Sequence, residues 1–273
     1  MRTDFKLVGL KNFAKLAGDK FFWGSVGNTF IISGVSIIFQ ICVALLLAIL
    51  LSDSYLNLKG RGLFRALVYM PNLLTAVSIS LLFLTLFQYP TGPLSQILYR
   101  MGLRVLVERN GVSNYEMMDL FRNVLFTRGI ISFIFWLMWY GYHLIILMAG
   151  ITAIPVSLFE SALVDGASSR QTTWFITLPL LRPVLLYVFL TCMIGGINAF
   201  DIPAMLTNMR GNPDFKARTT IMYLYNVAFQ GSNDYSYGAA IAIGLFLITI
   251  VFALFIFFFL HDRSDLKKAE GAI

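Results

Sequence analysis

Five stretches of this chain carry no Lys, Arg, Asp or Glu: residues 21–52, 66–99, 129–159, 183–200 and 235–260. Within them Leu, Ile and Phe form continuous apolar runs instead of alternating with polar residues. About 20 apolar residues suffice for a helix to cross the hydrocarbon of a bilayer. The pattern predicts five transmembrane helices, at about residues 24–51, 64–88, 130–153, 184–205 and 237–260. The alternating ten-residue segments of a membrane β-barrel are absent, so the expected class is all-α, a polytopic helix bundle integral to the membrane.

The connectors differ in kind. Residues 53–63 read as a short turn with Asp53, Ser54, Lys59, Gly60 and Arg61. Residues 89–129 form a long insertion opened by Pro90, Gly92 and Pro93. Helical spacing predicts two short amphipathic helices in it, residues 94–103 with Leu94, Ile97, Leu98 and Met101 on one face, and residues 115–125 with Met118, Phe121 and Leu125. Residues 206–236 are polar, end in Gly231-Ser232-Asn233-Asp234, and read as an exposed loop holding a short helix. The whole of 1–273 is expected to form one membrane domain.

Composition excludes a soluble fold. Only 13% of residues are charged, 58% are hydrophobic, and the mean hydropathy is +0.76, whereas soluble domains carry about 25% charged residues. The net charge of +7 is scattered beside spans and in loops, which suits lipid-flanking residues and not nucleic acid. Cys42 and Cys192 both fall in apolar spans, offer no disulfide framework or metal pair, and are expected to be buried small hydrophobes. Residues 1–20 carry five basic side chains and no uninterrupted apolar run, so a cleavable signal peptide is not expected. Orientation is not decided by charge. With the 154–183 connector inside, the inner segments carry eight Lys and Arg, and the outer segments thirteen over nearly twice the length.

That connector is the most ordered polar segment in the chain. It reads Glu160-Ser161-Ala162-Leu163-Val164-Asp165-Gly166-Ala167, then Gln171, then Ile176-Thr177-Leu178-Pro179-Leu180-Leu181-Arg182-Pro183. Pro155 ends the preceding span, and Ser157 to Glu160 has the spacing of a capping box. Ala162 and Ala167 keep a short helix slim, Gly166 suits a sharp exit, and Asp165 with Gly166 is expected to fix a bend between two short helices.

This spacing resembles the EAA loop of permease subunits in binding-protein-dependent ABC importers, of the carbohydrate-uptake type related to maltose permeases. Further segments are similar in the same order. They are Val8-Gly9-Leu10-Lys11-Asn12-Phe13 with Asn28-Thr29, Gly92-Pro93-Leu94-Ser95-Gln96-Ile97-Leu98 with Gly102-Leu103, and residues 206–213 with Thr219-Thr220, Tyr225 and Ala228-Phe229. Two departures lie in the loop: Ser161 stands at the middle alanine, and Thr173 where phenylalanine is usual, with Trp174 and Phe175 after it. The family usually has another helix before the Gly9-Leu10 segment, and this chain shows none.

The resemblance implies a type I importer permease fold in the bacterial cytoplasmic membrane. The loop would face the cytoplasm and dock a separate ATPase through Glu160, Ala162, Asp165, Gly166, Ala167 and Arg170. Glu160 would pair with a basic residue of the ATPase while it caps the helix, and Asp165 would position the bend. Arg170 is open between docking and ordinary snorkelling, the reading given to Arg182. No phosphate loop occurs in this chain; ATP and magnesium belong to an ATPase dimer, and neither catalytic residues nor a metal or cofactor are expected here. The other implied partners are a second permease subunit, related or a second copy, an extracytoplasmic solute-binding protein, a sugar, and membrane lipid.

Polar side chains inside spans mark a pathway. Candidates are Asn28, Gln40, Asn72, His143, Asn198 and Asp201, near Trp136, Trp139, Tyr140 and Tyr142. Sugars are commonly held by hydrogen-bonding groups beside aromatic faces, so Asn72, Tyr140, Asn198 and Asp201 are taken as contacts, although the aromatics equally suit an interfacial belt. His143 is expected to be a hydrogen-bonded core or interface residue and not a proton relay. The alternative function is an ion-coupled secondary transporter, for which Asp201 is the one intramembrane charge; an intramembrane enzyme would need a catalytic partner beside it.

Overall fold

The computed structural model describes residues 8–52, 60–109, 112–231 and 233–260. The expected turn residues Asp53, Ser54 and Lys59, as well as Ser232 and His261, lie outside them, as do residues 1–7. Helix α1 spans Lys11–Gly18, α2 Lys20–Ser52, α3 Arg61–Tyr69, α4 Ala76–Phe87 and α5 Pro93–Arg100. A hairpin follows, β1 (Arg104–Arg109) and β2 (Val112–Met117), then α6 (Val124–Thr152), α7 (Val156–Val164), α8 (Ser169–Thr172), α9 (Leu178–Ile197), α10 (Asp201–Leu206), α11 (Thr220–Tyr225) and α12 (Tyr235–Leu260). Among the described residues four helical runs are long and apolar enough to cross a membrane: Lys20–Ser52, Val124–Thr152, Ser169–Leu206 and Tyr235–Phe258. A fifth is counted if the bent pair Gly62–Leu73 and Ala76–Phe87 forms one span.

Several expectations need correction. The span expected over 64–88 is broken: α3 passes into a 3-10 turn, Met70–Leu73, and α4 restarts behind Thr75, whose side chain accepts from the Ser78 N–H. Pro71 removes a backbone donor there, which is sufficient cause for the break. The helix expected over 115–125 is instead a strand. β1 and β2 pair antiparallel with Arg104 opposite Met117 and Arg109 opposite Val112, and a 3-10 turn, Leu120–Arg122, follows. The sequence between the strands, Asn110-Gly111, is the pair that hairpins favour, and both residues lie outside the described set. The span expected at 184–205 starts earlier, at Ser169, and is interrupted at residues 198–200. Cys192 is buried as expected, but Cys42 is exposed in this chain.

Contacts divide the chain into two compact units. One consists of residues 1–35, 74–135 and 196–247; the other of 36–73, 136–195 and 248–273. In the second unit the core gathers Ala44 and Ala48 of α2, Leu144 and Leu147 of α6, and Leu181 and Val188 of α9, all fully buried. Ala44 and Ala48, one turn apart, leave room for close helix approach, the usual device where no hydrophobic effect drives helices together in lipid. Gly141 lets the α3 backbone pass directly over α6. The Asn72 side chain donates to the Met138 carbonyl at 3.1 Å. His143 is buried, with Cys192 Sγ 3.4 Å from its Nε2, as expected of a core residue.

In the first unit a polar knot joins segments far apart in sequence. Asn28 of α2 donates to the carbonyls of Phe215 and Arg218 at 2.7 and 3.1 Å, and its Oδ1 accepts from Arg128. The Thr29 and Thr220 hydroxyls lie 3.1 Å apart, and the Thr220 N–H donates to Thr29 at 3.0 Å. Residues 206–236, expected to be an exposed loop, are exposed only in part: Ala217, Thr219, Thr220 and Met222 are fully buried, whereas Asn208, Asp214 and Phe229 are exposed. The buried Arg218 guanidinium lies among the rings of Phe215, Tyr223 and Phe21, at 4.6, 4.9 and 5.4 Å from their centroids. Burial lowers its pKa, and the charges of Tyr223 and Asp19 oppose this.

Asp19 holds the start of α2. Its Oδ1 accepts from the N–H groups of Phe21 and Phe22 at 2.8 and 3.3 Å, and its Oδ2 from the hydroxyls of Tyr223 and Tyr237. Burial raises the carboxyl pKa, but these four bonds outweigh it and hold Asp19 below its ordinary value of 3.8. A lowered folded pKa means that the stabilisation is complete above the unfolded value and is lost as pH falls through the folded one. Burial and the bond to Asp19 push Tyr223 up to about 12, so its share is lost as pH rises from the ordinary tyrosine range toward that value. Asp19→Asn is expected to cost on the order of 1–3 kcal/mol at neutral pH and to flatten the acid limb of the stability curve. Thermal unfolding of the purified chain from acid to neutral pH checks both.

Candidate functional site

The connector after α6 folds as a capped double turn. Pro155, extended at φ −57° and ψ 128°, is the N-cap of α7. Ser157 therefore lies inside the helix and does not cap it; its carbonyl accepts from the Ser161 hydroxyl at 2.9 Å. The capping box expected at Ser157 and Glu160 is found instead at Ser168 and Gln171. There the Ser168 N–H donates to Gln171 Oε1 at 2.8 Å and the Gln171 N–H to Ser168 Oγ at 3.4 Å. This releases Glu160 from capping.

The exit of α7 follows the expectation. Gly166 has φ +74°, a left-handed value that glycine adopts without Cβ strain. The Ala167 N–H donates to the Ala162 carbonyl at 2.9 Å and the Gly166 N–H to Leu163 at 3.0 Å. These are the two bonds of a Schellman motif, closing the last carbonyls of a nine-residue helix. Beyond α8 a π turn, Thr173–Thr177, leads into α9. Pro179 withholds an N–H from the Phe175 carbonyl one turn back, and the widened turn accommodates that loss; Pro183 lies inside α9. The helical run nevertheless continues from Ser169 onward.

All six predicted coupling residues fall on this element. Glu160, Asp165, Gly166 and Arg170 are exposed, Ala167 is half-buried, and Ala162 is buried beneath the turn. Sequence reasoning missed the apolar part of the surface. Val164 is 87% exposed, Phe175 78%, Trp174 59% and Leu163 57%, beside a cavity of about 700 Å³ lined by Glu160, Leu163, Phe159, Ile151 and Thr173 among others. The available signal was apolar residues inside a short polar connector. The predicted pathway residues divide between units. Asn72 and Tyr140 are half-buried in one, with Tyr140 stacked on Trp136 at 5.0 Å; Asn198 and Asp201 are exposed in the other, at the break between α9 and α10.

Two of the segments quoted for the resemblance meet in space, since Thr29 bonds directly to Thr220. Comparison with known proteins agrees. The family described as binding-protein-dependent transport system inner membrane component matches residues 25–264. The multiple sugar-binding transport system permease protein MsmF of Streptococcus mutans is 31% identical, over 90% of this chain and 78% of its own. The lactose transport system permease protein LacF of Rhizobium radiobacter is 30% identical, over 95% and 83%. A chain of a bacterial alginate ABC transporter, solved in complex with alginate pentasaccharide-bound periplasmic protein, superposes with a TM-score of 0.74 at 25% identity, covering 91% of this chain and 81% of that one. The chain belongs to the binding-protein-dependent transport system inner membrane components, a family of multi-pass transport permeases and not of enzymes, and stands in it beside the permeases of sugar transport systems.

Proposed function

We propose that this chain is a membrane-spanning subunit of an importer that carries a sugar or oligosaccharide across the bacterial cytoplasmic membrane. Residues 154–183 couple it to a separate ATPase dimer, which binds ATP and magnesium. The observation that carries this reading is the double turn itself: a helix closed at its exit by Gly166, with Val164 and Phe175 turned outward and Glu160, Asp165 and Arg170 exposed on the same element. Exposed apolar side chains on an element that also carries exposed charges suit an interface with an apolar centre and a polar rim. A push received there passes into α9 along an uninterrupted helical run, the stiff transmission that rigid-body switching needs.

The remaining assignments follow from the same reading. Residues 1–273 act as one permease domain, with the insertion at 89–129 outside the membrane, facing an extracytoplasmic solute-binding protein. A second permease, related or a second copy, completes the pathway, and Asn72, Tyr140, Asn198 and Asp201 contact the sugar. Family membership speaks against the ion-coupled secondary transporter.

Glu160→Lys combined with Asp165→Lys reverses two exposed charges and is expected to weaken ATPase association about tenfold or more, mostly through slower docking. Co-purification of the ATPase with the permease, and ATP-driven sugar uptake by the reconstituted assembly, measure this. Uptake that persists without any ATPase would overturn the reading.

A further inference from the structure

The first unit carries a run of aromatic rings that neither the coupling element nor the polar knot uses. Phe200, at the break before α10, lies 5.4 Å from Tyr225 at the end of α11; Tyr225 lies 5.2 Å from Phe229 in the π turn Asn226–Gln230; and Phe229 lies 5.8 Å from Tyr235 at the start of α12. Four separate chain positions thus supply one continuous ladder. It is most open at one end: Phe229 is 55% and Tyr235 63% exposed, while Phe200 and Tyr225 are half-buried.

Polar groups border it. Asp201 directly follows Phe200 at the first position of α10, Asn198 stands two residues before it, and both are exposed. Asn226 and Gln230, in the same turn as Phe229, are hydrogen-bonded to each other at 2.7 Å; Gln230 is exposed and Asn226 half-buried. The backbone is pinned at this break: Thr219 donates to the Ala199 carbonyl at 2.7 Å and Ser33 to the Gly196 carbonyl at 2.7 Å. Non-helical backbone and a carboxylate are costly against lipid hydrocarbon and are found where they line water. A membrane-interface belt needs rings at a common depth but no contact between them. Rings in series, edged by hydrogen-bonding side chains on a pinned backbone, match a ligand with apolar C–H faces and a polar rim, which is a pyranose.

We propose that Phe200, Tyr225, Phe229 and Tyr235 form a stacking platform for pyranose rings, with Asn198 and Asp201 accepting or donating bonds to the hydroxyls at one end. The inference rests on the sugar-import reading and adds to it a site where the sugar is held by ring stacking beside the helix break.

The test is saturation-transfer NMR on the assembled transporter in lipid nanodiscs, with maltotriose as the pyranose probe and sorbitol as an open-chain polyol control. Ring C–H protons of maltotriose are expected to receive saturation, and sorbitol protons are not. Phe229→Ala and Tyr235→Ala, at exposed positions, are each expected to weaken binding roughly two- to tenfold, the range of one aromatic contact, and Phe229→Trp to restore it. No transfer to maltotriose, equal transfer to sorbitol, or transfer indifferent to both alanine variants overturns the proposal. ATP-driven uptake separates the two readings: uptake without ladder binding sinks the platform alone, whereas ladder binding with ATPase-independent uptake sinks the import reading.

Discussion

Replacing Val164 and Phe175 together by Asp is expected to leave the chain folded and to release its ATPase. The two side chains are 87% and 78% exposed, so the isolated permease loses almost no burial when they change, and its melting temperature should stay within a degree or two of the parent. Under the proposed coupling, the same positions become buried anchors in the assembly. An anchor of this kind contributes about 2 kcal/mol or more, so the pair is worth about 4 kcal/mol, roughly a thousandfold in affinity. Co-purification and uptake should both fail, and Phe175→Trp should preserve both. Undiminished association in the double variant would assign this patch to lipid and leave coupling to the charged residues alone.

Gly141→Val is expected to fail earlier, at folding. A Cβ on Gly141 would lie against the Val68 carbonyl, 2.9 Å from its carbon and 3.1 Å from the Tyr69 Cα. These are backbone atoms and cannot turn aside, so α3 must move off α6. The displacement also pulls Asn72 from the Met138 carbonyl. Overpacking of this kind costs about 1–3 kcal/mol, to which a lost buried hydrogen bond adds about 1 kcal/mol. Reduced yield and a lower melting temperature of the purified chain would record it. Gly27→Ala is the contrast: nothing lies within 4 Å of its added Cβ, and a helix gains roughly 0.5–1 kcal/mol from alanine over glycine.

What the sequence made legible follows from the range of the forces involved. Long apolar runs identify membrane helices because lipid offers the backbone no partners, and all five expected spans correspond to helical segments, two of them broken. The turn at Gly166 was readable because only a few residues tolerate its backbone conformation. Of the hairpin at residues 104–117, only 115–117 fell in an expected helix, and the Asn110-Gly111 pair, the local signal for the turn, went unused. The break at residues 70–75 was missed although Pro71 stood in plain view, because an uncharged run was read as one continuous helix. Other features have no local signature. Nothing near Thr219 or Thr220 announces that both are fully buried, because their partners, Ala199 and Thr29, come from distant segments. The exposure of Val164 and Phe175 was hidden for a similar reason, since an apolar residue in a connector is as often folded inward.

The polar knot of the first unit has a consequence for the order in which the chain can mature. Asn28 and Thr29 lie in the first long helix, yet Thr29 bonds to Thr220, 191 residues later, and Asn28 bonds to the Arg218 carbonyl, 190 residues later. Phe215 follows Asn28 by 187 residues, and Arg128 arrives much sooner, 100 residues after it. At 5–20 residues per second, synthesis takes roughly 10–40 s to cover the longer interval. Throughout that time the first long helix is in the membrane with the Thr29 hydroxyl bonded only to the Ser25 carbonyl of its own helix, and the Asn28 amide served by water, lipid headgroups or transient neighbours. The unit therefore closes late and nearly all at once, when the segment after α10 reaches the bilayer. A chain stalled before residue 215 would hold inserted helices without the clasp that joins them.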